Sequence, residues 1–121
     1  MQMQGTPPKT EVVLSSQNVA VVGLGYVGLP LALLSRSKGH TVSGIDISSQ
    51  RRELIAQASV PDLEDFQTAS LKKEPLQTSN NYSAVATADI IIICVPTPVD
   101  ADHNPDLTPV TSSCEAVGVH L

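Results

Sequence analysis

The sequence predicts an α/β fold, a doubly wound parallel sheet with helices packed on both faces. Three observations carry this expectation. Short, wholly apolar runs alternate along the chain with stretches of helical periodicity. Those runs lack the in–out alternation of a half-exposed sheet, which marks strands covered on both sides. The first run, Asn18-Val-Ala-Val-Val-Gly23, leads directly into the glycine turn Gly23-Leu24-Gly25-Tyr26-Val27-Gly28, which places the chain in the Rossmann type.

The elements follow in order. Residues 1–17 read as a flexible N-terminal arm, in which Val12-Val13-Leu14 could add a short strand before Ser15-Ser16-Gln17 interrupts it. Residues 18–121 form the domain, a partial Rossmann unit beginning with the strand Asn18–Gly23. Leu29 to Lys38 is a helix, with Pro30 tolerated in its first turns and Gly39 as its stop. His40 to Asp46 is the second strand. Ser48 or Ser49 caps a helix from Gln50 to Ala58, whose Leu54, Ile55 and Ala58 have helical spacing. Leu63, Phe66 and Leu71 allow a further helix ended by Pro75. Leu76–Ser79 is a short third strand, and a small helix spans Tyr82 to Thr87. Asp89 to Val95 holds four consecutive isoleucines and is expected to be a central strand covered on both faces. A loop rich in proline and aspartate, Pro96 to Pro105, precedes a last helix with Thr108 as cap and Pro109 as its first residue. Right-handed crossovers then set the first and fourth strands side by side.

Composition narrows the function. A chain of 121 residues is one domain long. Two Tyr, one Phe and no Trp leave an aliphatic core and no stacking platform for single-stranded nucleic acid. A formal charge of −5 opposes a phosphate-backbone partner, and the short pairs Arg51-Arg52 and Lys72-Lys73 read as solvated helix surface. The apolar stretch Val19–Leu34 is too short to span a membrane and carries three glycines and Pro30. Met1 to Thr10 lacks a charged-then-apolar signal pattern. With only Cys94 and Cys114, no disulfide framework exists, and a cytoplasmic protein with reduced thiols is the expectation.

A glycine triplet alone is a weak signal, but here it follows a strand, opens a helix and is followed about 20 residues later by an acidic residue at a strand end. Gly23 permits the tight turn, Gly25 lets the backbone approach a pyrophosphate, and Gly28 lets helix and strand pack closely. The N–H groups of the turn and the positive end of the helix hold the anion. Asp46 accepts from the adenosine ribose hydroxyls and repels a 2′-phosphate, which favours NAD over NADP. The plainer alternative is a glycine-rich packing turn beside a surface aspartate. Cys94-Val95-Pro96-Thr97-Pro98 stands across the switch-point crevice, where Thr97 could donate to a cofactor oxygen or the prolines could simply make a stiff turn.

Taken together, Gly23-Leu-Gly-Tyr-Val-Gly-Leu-Pro30, Gly44-Ile-Asp-Ile47, Cys94-Val-Pro-Thr-Pro-Val-Asp100 and Asn104-Pro-Asp-Leu-Thr108 resemble the UDP-glucose/GDP-mannose dehydrogenase family. The last two motifs are more similar to its UDP-N-acetylhexosamine 6-dehydrogenase branch than to its UDP-glucose branch. The resemblance runs from about Asn18 to the C-terminus. It implies oxidation of a nucleotide-sugar C6 alcohol to a carboxylate with two NAD. The cofactor would be held by Gly23, Leu24, Gly25, Tyr26, Val27, Gly28, Asp46, Val95, Pro96 and Thr97. Arg51 matches a basic position near the adenosine, with an ordinary exposed helix arginine as the alternative.

The family's catalytic cysteine, with its assisting lysine and asparagine, lies in a part that this sequence does not contain. No catalytic residue is therefore expected here, and the UDP-sugar is a partner only of a longer enzyme. Cys94, inside an apolar strand, is read as a buried packing group, and Cys114 has no activating neighbour. His40, His103 and His120 are too dispersed for a metal site, and the Asp100–Asp106 cluster lacks regular ligand spacing. A non-catalytic NAD-binding regulatory module, of the kind that gates ion transport, is the second reading; the Val-Pro-Thr-Pro and Pro-Asp-Leu-Thr motifs favour the dehydrogenase. A partial sheet is also expected to leave an apolar edge beside Ile90–Ile93, and so to self-associate.

Overall fold

The computed structural model describes residues 15–121. The possible strand at Val12–Leu14 and most of the expected arm lie outside them. Within them, Ser16 Oγ donates to the Gly39 carbonyl and the Gln17 N–H donates to His40 Nδ1, so the residues before the first strand run along the turn that ends the first helix.

Four strands form one parallel sheet: β1 (Asn18–Val22), β2 (Thr41–Ile45), β3 (Gln77–Ser79) and β4 (Ile90–Ile93). Their spatial order is β3-β2-β1-β4. β1 pairs with β2 from Asn18 opposite Thr41 to Val22 opposite Ile45, and with β4 from Val19 opposite Ile90 to Val22 opposite Ile93. The helices are α1 (Gly28–Ser37), α2 (Ser49–Ala56), α3 (Asp65–Lys73) and α4 (Thr108–Gly118), with a 3-10 helix at Tyr82–Thr87. The chain leaves β1 toward β2 on one side and returns to β4 on the other. Strand order thus reverses between β1 and β4, the position where such sheets open a crevice.

β1 shows why an unbroken apolar run was needed. Successive side chains of a strand point to opposite faces. Val19 and Val21 face a cluster with Leu29, Ala32 and Leu33 of α1, Ile55 of α2 and Leu71 of α3. Ala20 and Val22 face Val85 of the 3-10 helix and Val117 of α4. Both layers are therefore closed over the middle of the sheet.

Several expectations need correction. The isoleucine strand β4 is an edge strand, not a central one. Its faces are covered, Ile92 by the first cluster and Ile91 and Ile93 by the second, but among the described residues it pairs only with β1, and Ile90 is exposed. An apolar run reports on the faces of a sheet and carries no information about its lateral neighbours.

Helix α2 stops before Ala58. That residue adopts a left-handed φ of 52°, while Ala58 N–H donates to Ile55 and Ser59 N–H to the Leu54 carbonyl. This is the bonding of a Schellman terminus, formed here without the usual glycine. Helix α4 is preceded by Leu107 rather than capped by Thr108; the Asp106 carboxylate accepts from the Thr108 N–H instead. Phe66 on α3 is exposed. The pair Arg51-Arg52 is also not a solvated face, since both side chains are half-buried and hydrogen-bonded.

Candidate functional site

The site is built on the carboxyl ends of β1, β2 and β4. The turn after β1 begins at Gly23, with φ +94°, where a Cβ would come within 2.5 Å of the Cys94 carbonyl oxygen. No other residue fits that conformation in that space. The Gly23 N–H donates to the Ile45 carbonyl at 2.7 Å, tying the turn to β2. Leu24 then drops its side chain into the core, fully buried, against the bare α-carbon of Gly44. Gly28 sits on the Gly23 carbonyl oxygen, and any Cβ there would overlap it. Glycines 23 and 28 are thus required by the protein's own packing.

Gly25 is different. A Cβ there would meet nothing within 4 Å, yet Gly25 lines the crevice, so the space in front of it is left for something outside the protein. Helix α1 starts immediately beyond, with no side-chain cap at Val27 and no acidic residue in its first turn. Leu29 N–H already donates to the Gly25 carbonyl and Leu31 N–H to that of Val27, and Pro30 has none. The donors left for an anion are therefore the N–H groups of Tyr26, Val27 and Gly28, where the turn enters the helix. The crevice measures about 1070 Å³, just above the usual range of roughly 300–1,000 Å³ for ligand pockets.

Asp46 follows β2 and is held from two sides. Its Oδ2 accepts from the Leu24 N–H and its Oδ1 from the Ser48 N–H, each at 2.9 Å. A carboxylate offers about four lone-pair sites, so acceptors remain for hydroxyl donors in the crevice. Arg51, in the first turn of α2, reaches across to the glycine turn. Its Nε donates to the Leu24 carbonyl at 2.6 Å, and its Nη1 and Nη2 donate to the two oxygens of Asp62 at 2.8 and 3.1 Å. The pair is largely enclosed, with side chains 18% and 13% exposed. This bond to Arg51 draws the Asp62 carboxyl below the usual carboxylate range, and the same bond raises the pKa of Arg51. Leu24 is thus gripped at both its N–H and its carbonyl by charged side chains.

Across the crevice, Val95 and Pro96 line the wall as expected, together with Cys94. Thr97 does not line it and is exposed. Tyr26 and Val27 form part of the rim and are exposed. Contributors absent from the sequence reading include Asp62, Tyr82 of the 3-10 helix, Asp106, and the first two turns of α4, where Thr108, Ser112 and Ser113 line the crevice. The α4 residues could have been sought from topology, because the helix after β4 must cover the second face beside the switch point. Asp62 gave no local signal.

Cys94 is half-buried rather than buried, and Cys114 is exposed; both are free thiols. Among the described residues no group of three or more His, Cys, Asp or Glu side chains converges to hold a metal ion. Asp100 organises its own loop, accepting from the Asp102 and Asn104 N–H groups at 2.9 Å. Among the described residues no helix is long and apolar enough to cross a membrane.

Residues 17–121 match the model of the UDP-glucose/GDP-mannose dehydrogenase family, NAD binding domain. The chain is 42% identical over 101 residues to the UDP-N-acetyl-D-glucosamine 6-dehydrogenase of Pseudomonas aeruginosa, covering 83% of this chain and 24% of that protein. It is 40% identical over 103 residues to protein CapL of Staphylococcus aureus, with 85% and 24% covered. The solved ternary complex of GDP-mannose dehydrogenase from Pseudomonas aeruginosa superposes with a TM-score of 0.77 at 32% identity, over 84% of this chain and 24% of that one. The chain thus spans about a quarter of the length of these relatives, and none of the three similarities is to an ion-transport regulatory module. Gly25 and the uncapped α1 terminus leave room and donors for a pyrophosphate, and Asp46 leaves acceptors for a ribose. The chain belongs to the UDP-glucose/GDP-mannose dehydrogenase family, of which it provides the NAD-binding domain.

Proposed function

We propose that this domain holds the oxidant of a UDP-N-acetylhexosamine 6-dehydrogenase, an enzyme that converts the sugar C6 alcohol to a carboxylate with two NAD. The observation that carries the cofactor half is the open space at Gly25, on a turn fixed by Gly23, Gly28 and the Asp46–Leu24 bond. The sugar half rests on the motifs around Pro96 and Asp106 and on the 42% identity to a UDP-N-acetyl-D-glucosamine 6-dehydrogenase.

Bound NAD supplies the hydride acceptor. The chain's own residues bind and orient it. The N–H groups of the turn and of α1 take the pyrophosphate. Asp46 takes the adenosine ribose hydroxyls, with Arg51 beside it. The wall of Cys94, Val95 and Pro96 limits the crevice on the β4 side, Cys94 packing there rather than reacting. Thr97 reaches a cofactor oxygen only if its exposed loop turns inward. The part of the reaction read for this chain is to bind NAD, and turnover of sugar by the chain alone is not expected. Its free cysteines suit a reducing, cytoplasmic setting, and a second copy of the chain is proposed as a partner through the β4 edge.

Calorimetric titration tests the binding: saturable heat with NAD is expected, and none up to millimolar ligand would overturn it. Incubation of the purified chain with NAD and UDP-N-acetylglucosamine or UDP-N-acetylmannosamine should leave absorbance at 340 nm unchanged. A steady rise would show that the chain carries its own catalytic group.

A further inference from the structure

The adenosine end of the crevice contains an arginine that is already occupied. Arg51 lies five positions beyond Asp46, and in this fold an arginine near that position accommodates a ribose 2′-phosphate when the cofactor is NADP. Here its planar fork is filled by Asp62, two parallel N–H···O bonds of 2.8 and 3.1 Å. Carboxylate and phosphate compete for the same bidentate geometry on a guanidinium. Asp62 therefore stands where a phosphate would bind.

Charge acts in the same direction. The charged side chains lining this end of the crevice are Asp46, Arg51 and Asp62, two carboxylates against one guanidinium. Arg52 hydrogen-bonds the Asp46 carbonyl from outside the lining. Without Asp62 the remaining pair would be neutral, with an unfilled fork in an enclosed position. Asp46 would then be a weaker barrier to a 2′-phosphate than its position suggests, because both of its oxygens already receive backbone N–H groups.

We propose that Asp62 is a specificity-determining residue: by filling the Arg51 fork and keeping this end of the crevice negative, it excludes a ribose 2′-phosphate and restricts the domain to NAD. It is a positioning residue, acting through Arg51, and the inference rests on the NAD reading of the crevice. The Arg51 Nε bond to the Leu24 carbonyl does not involve Asp62, so the glycine turn is expected to retain this anchor when Asp62 is replaced.

The test is a set of calorimetric titrations with NAD and NADP on the whole chain, with folding checked by circular dichroism. In Asp62→Asn the preference for NAD over NADP is expected to fall at least about tenfold, mostly through tighter NADP binding. The gain should weaken with added salt, as a bond to a phosphate does. Asp62→Ser, smaller and equally uncharged, gives the same shift and guards against a folding defect particular to one variant. Adding Arg51→Gln to Asp62→Asn removes the gain. If both dinucleotides change affinity by one common factor in both variants, Asp62 only supports the loop and the inference is overturned while the NAD reading stands. If wild type and variants bind neither dinucleotide, the NAD reading fails and takes this inference with it.

Discussion

Gly25 and Gly28 belong to one motif and do opposite jobs, and that difference can be measured. A Cβ at residue 28 overlaps the backbone oxygen of Gly23, which cannot yield without moving β1 or α1. Gly28→Ala should cost about 2–3 kcal/mol, and so lower the melting temperature by roughly ten degrees or more in a domain this small. At residue 25 the added methyl meets nothing, so Gly25→Ala should melt within about 0.5 kcal/mol of wild type while losing most of its NAD affinity. Thermal melts and titrations on the two variants check both halves. Equal melting temperatures, or unimpaired NAD binding by Gly25→Ala, would refute the division of roles. At this scale the sequence was informative wherever the constraint is local. Gly23, Gly28 and Asp46 act within a few residues of a strand end, and spacing alone exposed them. Asp62 is oriented by a contact across the α2–α3 connection, and a Pro-Asp pair there reads as an ordinary turn. Thr97 illustrates the converse: its neighbours Val95 and Pro96 line the crevice and it does not, because which side of a loop a residue faces is not encoded in its spacing from a strand.

Among the elements, α2 shows most directly how a local terminus serves the crevice. Its cap, Ser48, accepts the Arg51 N–H on Oγ at 3.1 Å and donates its own N–H to Asp46. The residue that starts the helix thus also fixes the acid at the end of β2. Replacing Ser48 by Ala leaves the backbone bond to Asp46 but removes the cap, at a cost of about 1 kcal/mol; Ser48→Gly should cost only a few tenths. Thermal or urea melts distinguish them, and a Ser48→Ala protein as stable as wild type would show that the cap contributes nothing. The order and type of the elements were legible because helical and strand periods differ along this chain. Their ends were less so. Ala58 occupies the left-handed position that glycine normally signals, and Asp106 caps α4 from two residues before Thr108, so that either residue type satisfied the same rule. Phe66 and Leu71 both suggested α3, yet only Leu71 is buried in that helix. Nine residues carry too few apolar positions to fix a helix's rotation.

For the whole molecule, the two edges of the sheet differ in a way that predicts how copies of the chain should behave. β3, at one edge, is three polar residues long, and short polar edges resist pairing. β4, at the other, is four isoleucines, bonded among the described residues to β1 on one side only, with Ile90 43% exposed. Such an edge offers unpaired backbone groups in an apolar setting, which is a template for another strand. The charge of −5 opposes association, but at physiological salt that repulsion is screened beyond about 8 Å, a distance that leaves strand pairing at roughly 5 Å accessible. Sedimentation velocity should therefore show concentration-dependent association that strengthens with salt. Ile90→Lys should suppress it, since an edge lysine must bury its charge when a second strand docks. The exposed position makes the substitution tolerable to the fold, so an unchanged melting temperature is expected alongside the loss of association. A wild-type chain that stays monomeric at high concentration and high salt would mean that the β4 edge is not an interface between copies.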